Sequence, residues 1–508
     1  MARIKNTLTN MSYAFIGQFV QLIISFFARM VFIQTLGIEY LGLSGLFTSI
    51  LSMLSLTELG IGSAIIYSLY KPLTEGDREK IKSLMALFKK AYTIIGCIIL
   101  TLGISLTPFL GLLITELPDI SHIRLIYMMF VVNLGISYFV TYKRSLIIAN
   151  QKRYIVTLYH HIAFLGLNVA QIAVLLTTQN YLLFLTLMIA GTLVENLMIS
   201  AKANRMFPLL REKTTAQLEK TEKDMIFRNV FALTAHKIGG VVVNGMDSIF
   251  LGIYAGIATV GLYANYLLIT NALHSLFGHI AESITASIGH LGVSGSDEKK
   301  LWVFNVLNFA LFWICGFASI CLITLFNPFI TLWLGEEFLL DIYMVTAIVF
   351  YFYLCGMRYS VGAYRNALGV FWFDRYRPLA QAIVKLGLSI WLGSQWGAIG
   401  VLLGSIVSTV ATCFWVEPYV LYKHGLHMRI SPYFLRYLCY TVICIGAGVV
   451  TYGAVFVIAI EGVFGFILKA LICVIIPNAV FFMIFRKSKE FQYLYKVVMK
   501  QGKKRPWG

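Results

Sequence analysis

Charge is what this sequence has little of: Asp, Glu, Lys and Arg make up only 13% of its 508 residues. Soluble domains carry about 25%, so a water-soluble globular protein of this size is excluded. The eight cysteines (97, 315, 321, 355, 413, 439, 444 and 473) are scattered without a CxxC pair. Neither a zinc site nor a disulfide framework is suggested, and no metal or cofactor is expected. Long polar connections are missing from one side of the apolar pattern described below, where the loops reduce to IEY, TELPDIS, TTQN, YAGIAT, LGEEFLLD, GSQWG and AIEGV. No extracytoplasmic domain can be built from these. A removable signal peptide is not expected either, because the first apolar run is too long and lacks a small-residue cleavage site. It is expected to stay as a membrane anchor.

What the chain has instead is hydrophobicity, 59% of residues with a mean hydropathy of +0.79. An all-α polytopic membrane protein is the class that fits. Apolar runs of spanning length lie near 11–35, 42–68, 88–114, 122–148, 155–177, 181–202, 229–253, 259–289, 302–330, 341–363, 377–394, 397–421, 434–459 and 463–485, fourteen in all. The formal charge of +18 falls almost wholly in alternate loops: of 41 lysines and arginines, only Arg29, Arg124, Lys237, Lys385 and Lys469 lie elsewhere. This alternation is the positive-inside pattern, which puts both termini in the cytoplasm and requires an even number of spans. The basic character therefore reports topology and not a nucleic-acid partner.

An internal repeat divides the chain. Gly37-Ile38-Glu39-Tyr40-Leu41-Gly42-Leu43 recurs as Gly256-Ile257-Ala258-Thr259-Val260-Gly261-Leu262, an offset of 219 that also pairs Asn10 with Asn229. Near an offset of 221, Arg144…Lys152-Arg153-Tyr154 resembles Arg365…Asp374-Arg375-Tyr376. The expected organisation is a six-helix lobe over 1–203, a cytoplasmic linker over 204–228, a second six-helix lobe over 229–425, two additional helices over 426–486 and a basic tail over 487–508. Six spans per lobe is even, so the lobes run the same way through the membrane. They are expected to be related by a pseudo-two-fold axis along its normal, with the site between them. The tail FQYLYKVVMKQGKKRPWG mixes aromatics with lysines, which suits anionic headgroups or a frayed end.

Helical spacing at 100° per residue puts Gln18, Gln21, Ser25 and Arg29 on one face of the first span. Ser44, Thr48, Ser55, Glu58 and Gly62 share a face of the second. The seventh aligns Asn229, His236, Gly240, Asn244 and Asp247, with Lys237 on its flank, and the eighth carries Asn271, His274, Ser275, Gly278, Glu282 and Thr285. The repeat brings these same four spans together. Small polar residues commonly serve helix packing, whereas ionisable groups in a span are costly and point to a pathway or to an ion pair. Asp247 lies at nearly the depth of Arg29 by the repeat and is its natural structural partner. The candidate cavity comprises Arg29, Gln18, Gln21, Ser25, Glu58, His236, Lys237, Asn244, Asp247, His274 and Glu282. Glu195 and Glu417, towards inner ends, are expected to meet interfacial lysines, and His160 and His161 to be interfacial. A cation with amides and hydroxyls suits an amphiphile with an anionic head and sugars. The acids would equally suit a drug cation, so the residues alone leave substrate charge open.

The opening NxxY…FxxRxxFIQTLGxEYLGLxGLFxxIL, the TELGIGSAIIYSLYKPL segment, the RSLIIANQKRY loop and GMDSIFLG…VGLYANYLLI resemble the Wzx-type polysaccharide transporters. That family belongs to the superfamily that also holds multidrug exporters and lipid II flippases. The likeness covers nearly the whole chain and is closest over residues 1–290. It implies a flippase of a bacterial cell membrane that moves polyprenyl-pyrophosphate-linked oligosaccharides, specifically undecaprenyl-linked repeat units, to the outer leaflet by alternating access. Its partners would be that lipid-linked sugar and membrane lipids, with a proton or sodium counter-ion open. In relatives, cavity cations meet the pyrophosphate; Arg29 matches such a first-helix arginine, and Lys237 matches less closely. The alternatives are a multidrug or cation exporter and a flippase for another lipid-linked precursor of the lipid II or teichoic acid type. An enzyme is not expected, since the short outer loops offer no acidic metal-binding motif.

Overall fold

The computed structural model describes the backbone of residues 2–55, 61–113, 120–212, 220–294, 296–458 and 460–502. Side chains are described for these except 2–16, 63–64, 112–113, 211, 220–223, 225, 227–239, 241–242, 244, 282–294, 371 and 497–502. Among the described residues the regular structure is helical: α1 (Ala2–Leu36), α2 (Ile38–Leu54), α3 (Ile61–Glu75), α4 (Arg78–Leu106), the single turn α5 (Leu110–Leu113), α6 (Ile123–Ala149), α7 (Arg153–Thr178), α8 (Tyr181–Met206), α9 (Lys220–Ser294), α10 (Asp297–Trp333), α11 (Ile342–Ala367), α12 (Arg377–Ala411), α13 (Cys413–Val420), α14 (Ser431–Phe456), α15 (Gly462–Phe485) and α16 (Lys489–Gly502). A bilayer offers the backbone no hydrogen-bond partners, so the long apolar runs close their bonds within themselves.

Eleven helical stretches among the described residues are long and apolar enough to cross a membrane. Two of them contain a positive-φ glycine that breaks the helix, Gly256 in α9 and Gly397 within α12. Each therefore provides two of the expected spans, and the shorter apolar helix α2 stands in the place of the second. The fourteen-span expectation and the helical runs thus coincide. Elsewhere the chain turns between helices on side-chain caps: Asp77 accepts from Lys80 N, Asn180 from Leu183 N, Ser296 from Lys299 N and Asp341 from Tyr343 N.

The chain forms two compact units, Met1–Gly261 and Leu262–Gly508. In the first, α3, α4 and α6 enclose a core around Ile65, Leu69, Phe88, Tyr92, Tyr138 and Leu146. In the second, buried Phe304, Phe309, Phe312 and Phe352 dominate, and Tyr440 of α14 stacks on Phe312 at 4.2 Å. That stack ties an additional C-terminal helix to the second unit. The tail helix α16 is docked on the same unit, with Phe491 stacked on Trp313 and Arg436 3.6 Å from Glu490.

The repeat is written into the backbone. Gly37 has φ 93° and ψ 171°, and its mate Gly256 has φ 80° and ψ 166°. Both joints use a positive-φ conformation open to glycine at little cost, so equivalent helix pairs turn through the same bend.

Candidate functional site

On α1, Gln18, Gln21, Ser25 and Arg29 share the helical face set by their spacing. The exposed apolar residues Phe19, Val20, Ile23 and Phe27 lie on the rest of the helix surface. The guanidinium is thus carried apart from the hydrocarbon-compatible stripe, as the cost of a charge in lipid requires. Gln21 is engaged by α7: its Nε2 lies 3.1 Å from Nε2 of His160. One turn earlier, Gly17 lies so close to the ring of His161 that a Cβ there would fall 1.8 Å from its Nε2.

Asp247 on α9 is buried, only 6% exposed. Two residues earlier, a Cβ at Gly245 would meet Ser52 Oγ of α2 at 3.2 Å and the Ser49 carbonyl at 3.5 Å. The second and seventh spans therefore pack against each other at Gly245. His274 sits in an aromatic nest, 4.7 Å from Phe352 and 6.0 Å from Tyr359 between ring centres. Its backbone carbonyl accepts the Tyr359 hydroxyl at 3.1 Å. Glu58, and the side chains of His236, Lys237, Asn244 and Glu282, lie outside the described residues.

A reciprocal close contact joins the repeated segments inside the first unit. A Cβ on Gly42 would lie 2.0 Å from the Ile257 carbonyl oxygen, and one on Gly261 would lie 2.4 Å from the Ile38 carbonyl oxygen. Gly42 and Gly261 are repeat mates, and so are Ile38 and Ile257, so each glycine admits the backbone of the other's neighbour. Small residues allow membrane helices to approach this closely.

Two ionic clusters lie outside the cavity expected from the sequence. In the first unit Arg144 Nη2 donates to Glu195 Oε1 at 2.7 Å, and His160 Nδ1 is 3.2 Å from each Glu195 oxygen. In the second, Glu417 accepts from Arg358 Nε and Nη2 at 2.9 Å each, with Arg377 Nη2 at 3.0 Å and Arg365 Nη1 at 3.3 Å. Asp374 completes this cluster by pairing with Arg365 and Arg377. The two glutamates thus meet arginines, not the interfacial lysines expected. Arg144–Glu195 recurs as Arg365–Glu417 at offsets of 221 and 222. The repeated RSLIIANQKRY-type loop was the signal that could have found it. Lys385, whose role the sequence leaves undecided, is fully buried. Among the described residues no group of three or more His, Cys, Asp or Glu could hold a metal ion.

A separate cavity of about 640 Å³ lies between α10, α11 and α14. Its Ser319, Thr346 and Thr441 hydroxyls bond to carbonyls of their own helices. Its walls therefore offer little but apolar contact.

Multiple kinked spanning helices in two units, with a polar face on the first helix, define an all-helical polytopic membrane protein. Solved structures agree on the fold. The chain is similar to the lipid II flippase MurJ in an inward closed conformation (14% identity, TM-score 0.68, covering 94% of this chain and 99% of that one). It is also similar to an inward-facing multidrug resistance MATE family transporter of the MOP superfamily (14%, TM-score 0.55, 79% and 94%). A third likeness is to a mutant of the Vibrio cholerae MATE transporter VcmN (16%, TM-score 0.55, 84% and 99%). No curated protein matches the sequence. Residues 7–285 match the family described as polysaccharide biosynthesis protein, and the chain belongs to that family.

Proposed function

We propose that this protein is a flippase that moves undecaprenyl-pyrophosphate-linked oligosaccharide repeat units from the inner to the outer leaflet of a bacterial cell membrane. The observation that carries the reading is Arg29, held on α1 apart from exposed Phe19, Val20, Ile23 and Phe27 and within the segment matched by the family. A guanidinium donates two parallel hydrogen bonds to phosphate oxygens. The amides and hydroxyl of Gln18, Gln21 and Ser25 would meet sugar hydroxyls. Six-helix lobes over 1–203 and 229–425, both termini in the cytoplasm, would exchange access by opening and closing on either side of the site. The reciprocal Gly42–Gly261 packing is suited to be one such closure.

Buried Asp247 favours a second reading, a cation exporter of the same fold, because an acid at membrane depth can hold a cation or a proton. Depletion in the native cell, followed by leaflet-specific labelling of lipid-linked sugars, separates the two. Complete units are expected to accumulate on the inner face. Normal delivery to the outer face in depleted cells would refute the flippase.

A further inference from the structure

We propose that His160 and Glu195 form a proton-binding site whose occupancy is transmitted to helix α1 through Gln21. This rests on the transporter reading and gives its counter-ion a place. The His160 ring spans two helices: Nδ1 faces both oxygens of Glu195 on α8 at 3.2 Å, and Nε2 faces the Gln21 amide nitrogen on α1 at 3.1 Å. With that nitrogen donating, Nε2 must be a lone-pair acceptor. The imidazole is then neutral and gives its one proton to Glu195. A second proton places N–H on Nε2, where it opposes the N–H of Gln21. Gln21 must then turn its amide to present oxygen, or leave. Ser25 and Arg29 follow on the same face of α1, so the change reaches the face proposed to hold substrate.

The charged groups closest to the ring are Glu195 and Arg144. Glu195 faces Nδ1 of the ring, and Arg144 on α6 pairs with the same carboxylate at 2.7 Å. His161 is the neighbouring ring at 5.8 Å and packs on Gly17 of α1. Lys143 is directed to Ser200 at 2.9 Å. The His160 side chain is 46% exposed.

The second half supplies an internal comparison. Its Arg365–Glu417 pair repeats Arg144–Glu195, but the place of His160 at an offset of 221 is taken by Gln381, which donates to Thr409 at 3.2 Å. Glu417 is instead surrounded by Arg358 and Arg377, and guanidinium groups do not release protons at accessible pH. One repeated ion pair is thus locked and its counterpart carries a titratable ring.

The test uses the full chain in lipid nanodiscs without substrate and follows hydrogen exchange of α1 amides from pH 5 to 8, corrected for intrinsic rates. Wild type is expected to show a single-proton transition in α1 protection, absent in His160→Gln. Glu195→Gln should shift its midpoint, because the carboxylate facing Nδ1 is gone. Should His160→Gln fail to fold, the Glu195→Gln midpoint and the ¹⁵N shifts of the His160 ring carry the test. A wild type without a transition, a transition unchanged in His160→Gln, or an unmoved midpoint in Glu195→Gln overturns the proposal. No substrate is present, so that failure leaves the flippase reading standing; failure of the leaflet labelling leaves the proton site standing.

Discussion

Replacing Glu417 by Gln should be among the most destabilising conservative changes in this protein. The carboxylate is 3% exposed and receives two hydrogen bonds from Arg358, an ion pair from Arg377 and the charge of Arg365. With Asp374, two acids balance three guanidinium groups; Glu417→Gln leaves one acid among three. Breaking a buried pair by removing one partner costs about 3–5 kcal/mol, because the stranded charge keeps its desolvation penalty. The residual amide oxygen can still accept one bond, which places the expectation near ~3 kcal/mol. Glu195→Gln is the matched control. Its side chain is 17% exposed and its partners Arg144 and His160 are 30% and 46% exposed, so this pair is less completely buried than Glu417 and the expected loss is about 1 kcal/mol or less. Thermal unfolding in detergent, at low and at high salt, reads both. Glu417→Gln should melt well below Glu195→Gln at either salt concentration, and adding Arg358→Met should recover part of the loss. Equal melting of the two glutamine variants would falsify the assignment of the second cluster as a locked, desolvated core.

Arg29→Ala should abolish export of surface polysaccharide while protein level and membrane insertion stay unchanged, and Arg29→Lys should restore it only in part because a point charge replaces a fork; export assays with immunoblotting of membranes decide both. Gly42→Val should push α2 away from the Ile257 segment by about 1 Å or more, since a carbon–oxygen contact needs roughly 3.3 Å and a Cβ would lie at 2.0 Å. A cysteine introduced at fully buried Leu43 should then react with a membrane-impermeant maleimide faster than in the Gly42 background, and an unchanged rate would show that the packing yields elsewhere.

Much of this architecture is local and therefore readable in the chain. Spanning length is a count of apolar residues, and the face of α1 is fixed by a 100° step, so Gln18, Ser25 and Arg29 can be set apart from Phe19 and Phe27 without coordinates. The offset of 219 implies that Gly37 and Gly256 share a role; that both adopt nearly the same positive-φ bend is its physical content. Gln21 is legible as polar but not as the partner of His160, 139 residues away. The histidines read only as interfacial, because nothing in a single helix reveals which neighbour supplies a carboxylate.

What the sequence determined by itself is the class, the spans, the polar face of the first helix and the repeat. All follow from the chemistry of residues a few positions apart and from the bilayer's demand that backbone groups be satisfied within the helix. Only the tertiary structure decided which charges meet: Arg144 with Glu195 at 51 residues' separation, Arg358 with Glu417 at 59, and Gly42 with the backbone of Ile257. Such contacts depend on helix rotation and crossing, which periodicity leaves free and packing fixes. They turn a set of costly polar residues into two ionic clusters, one closed by three arginines and one that includes a histidine.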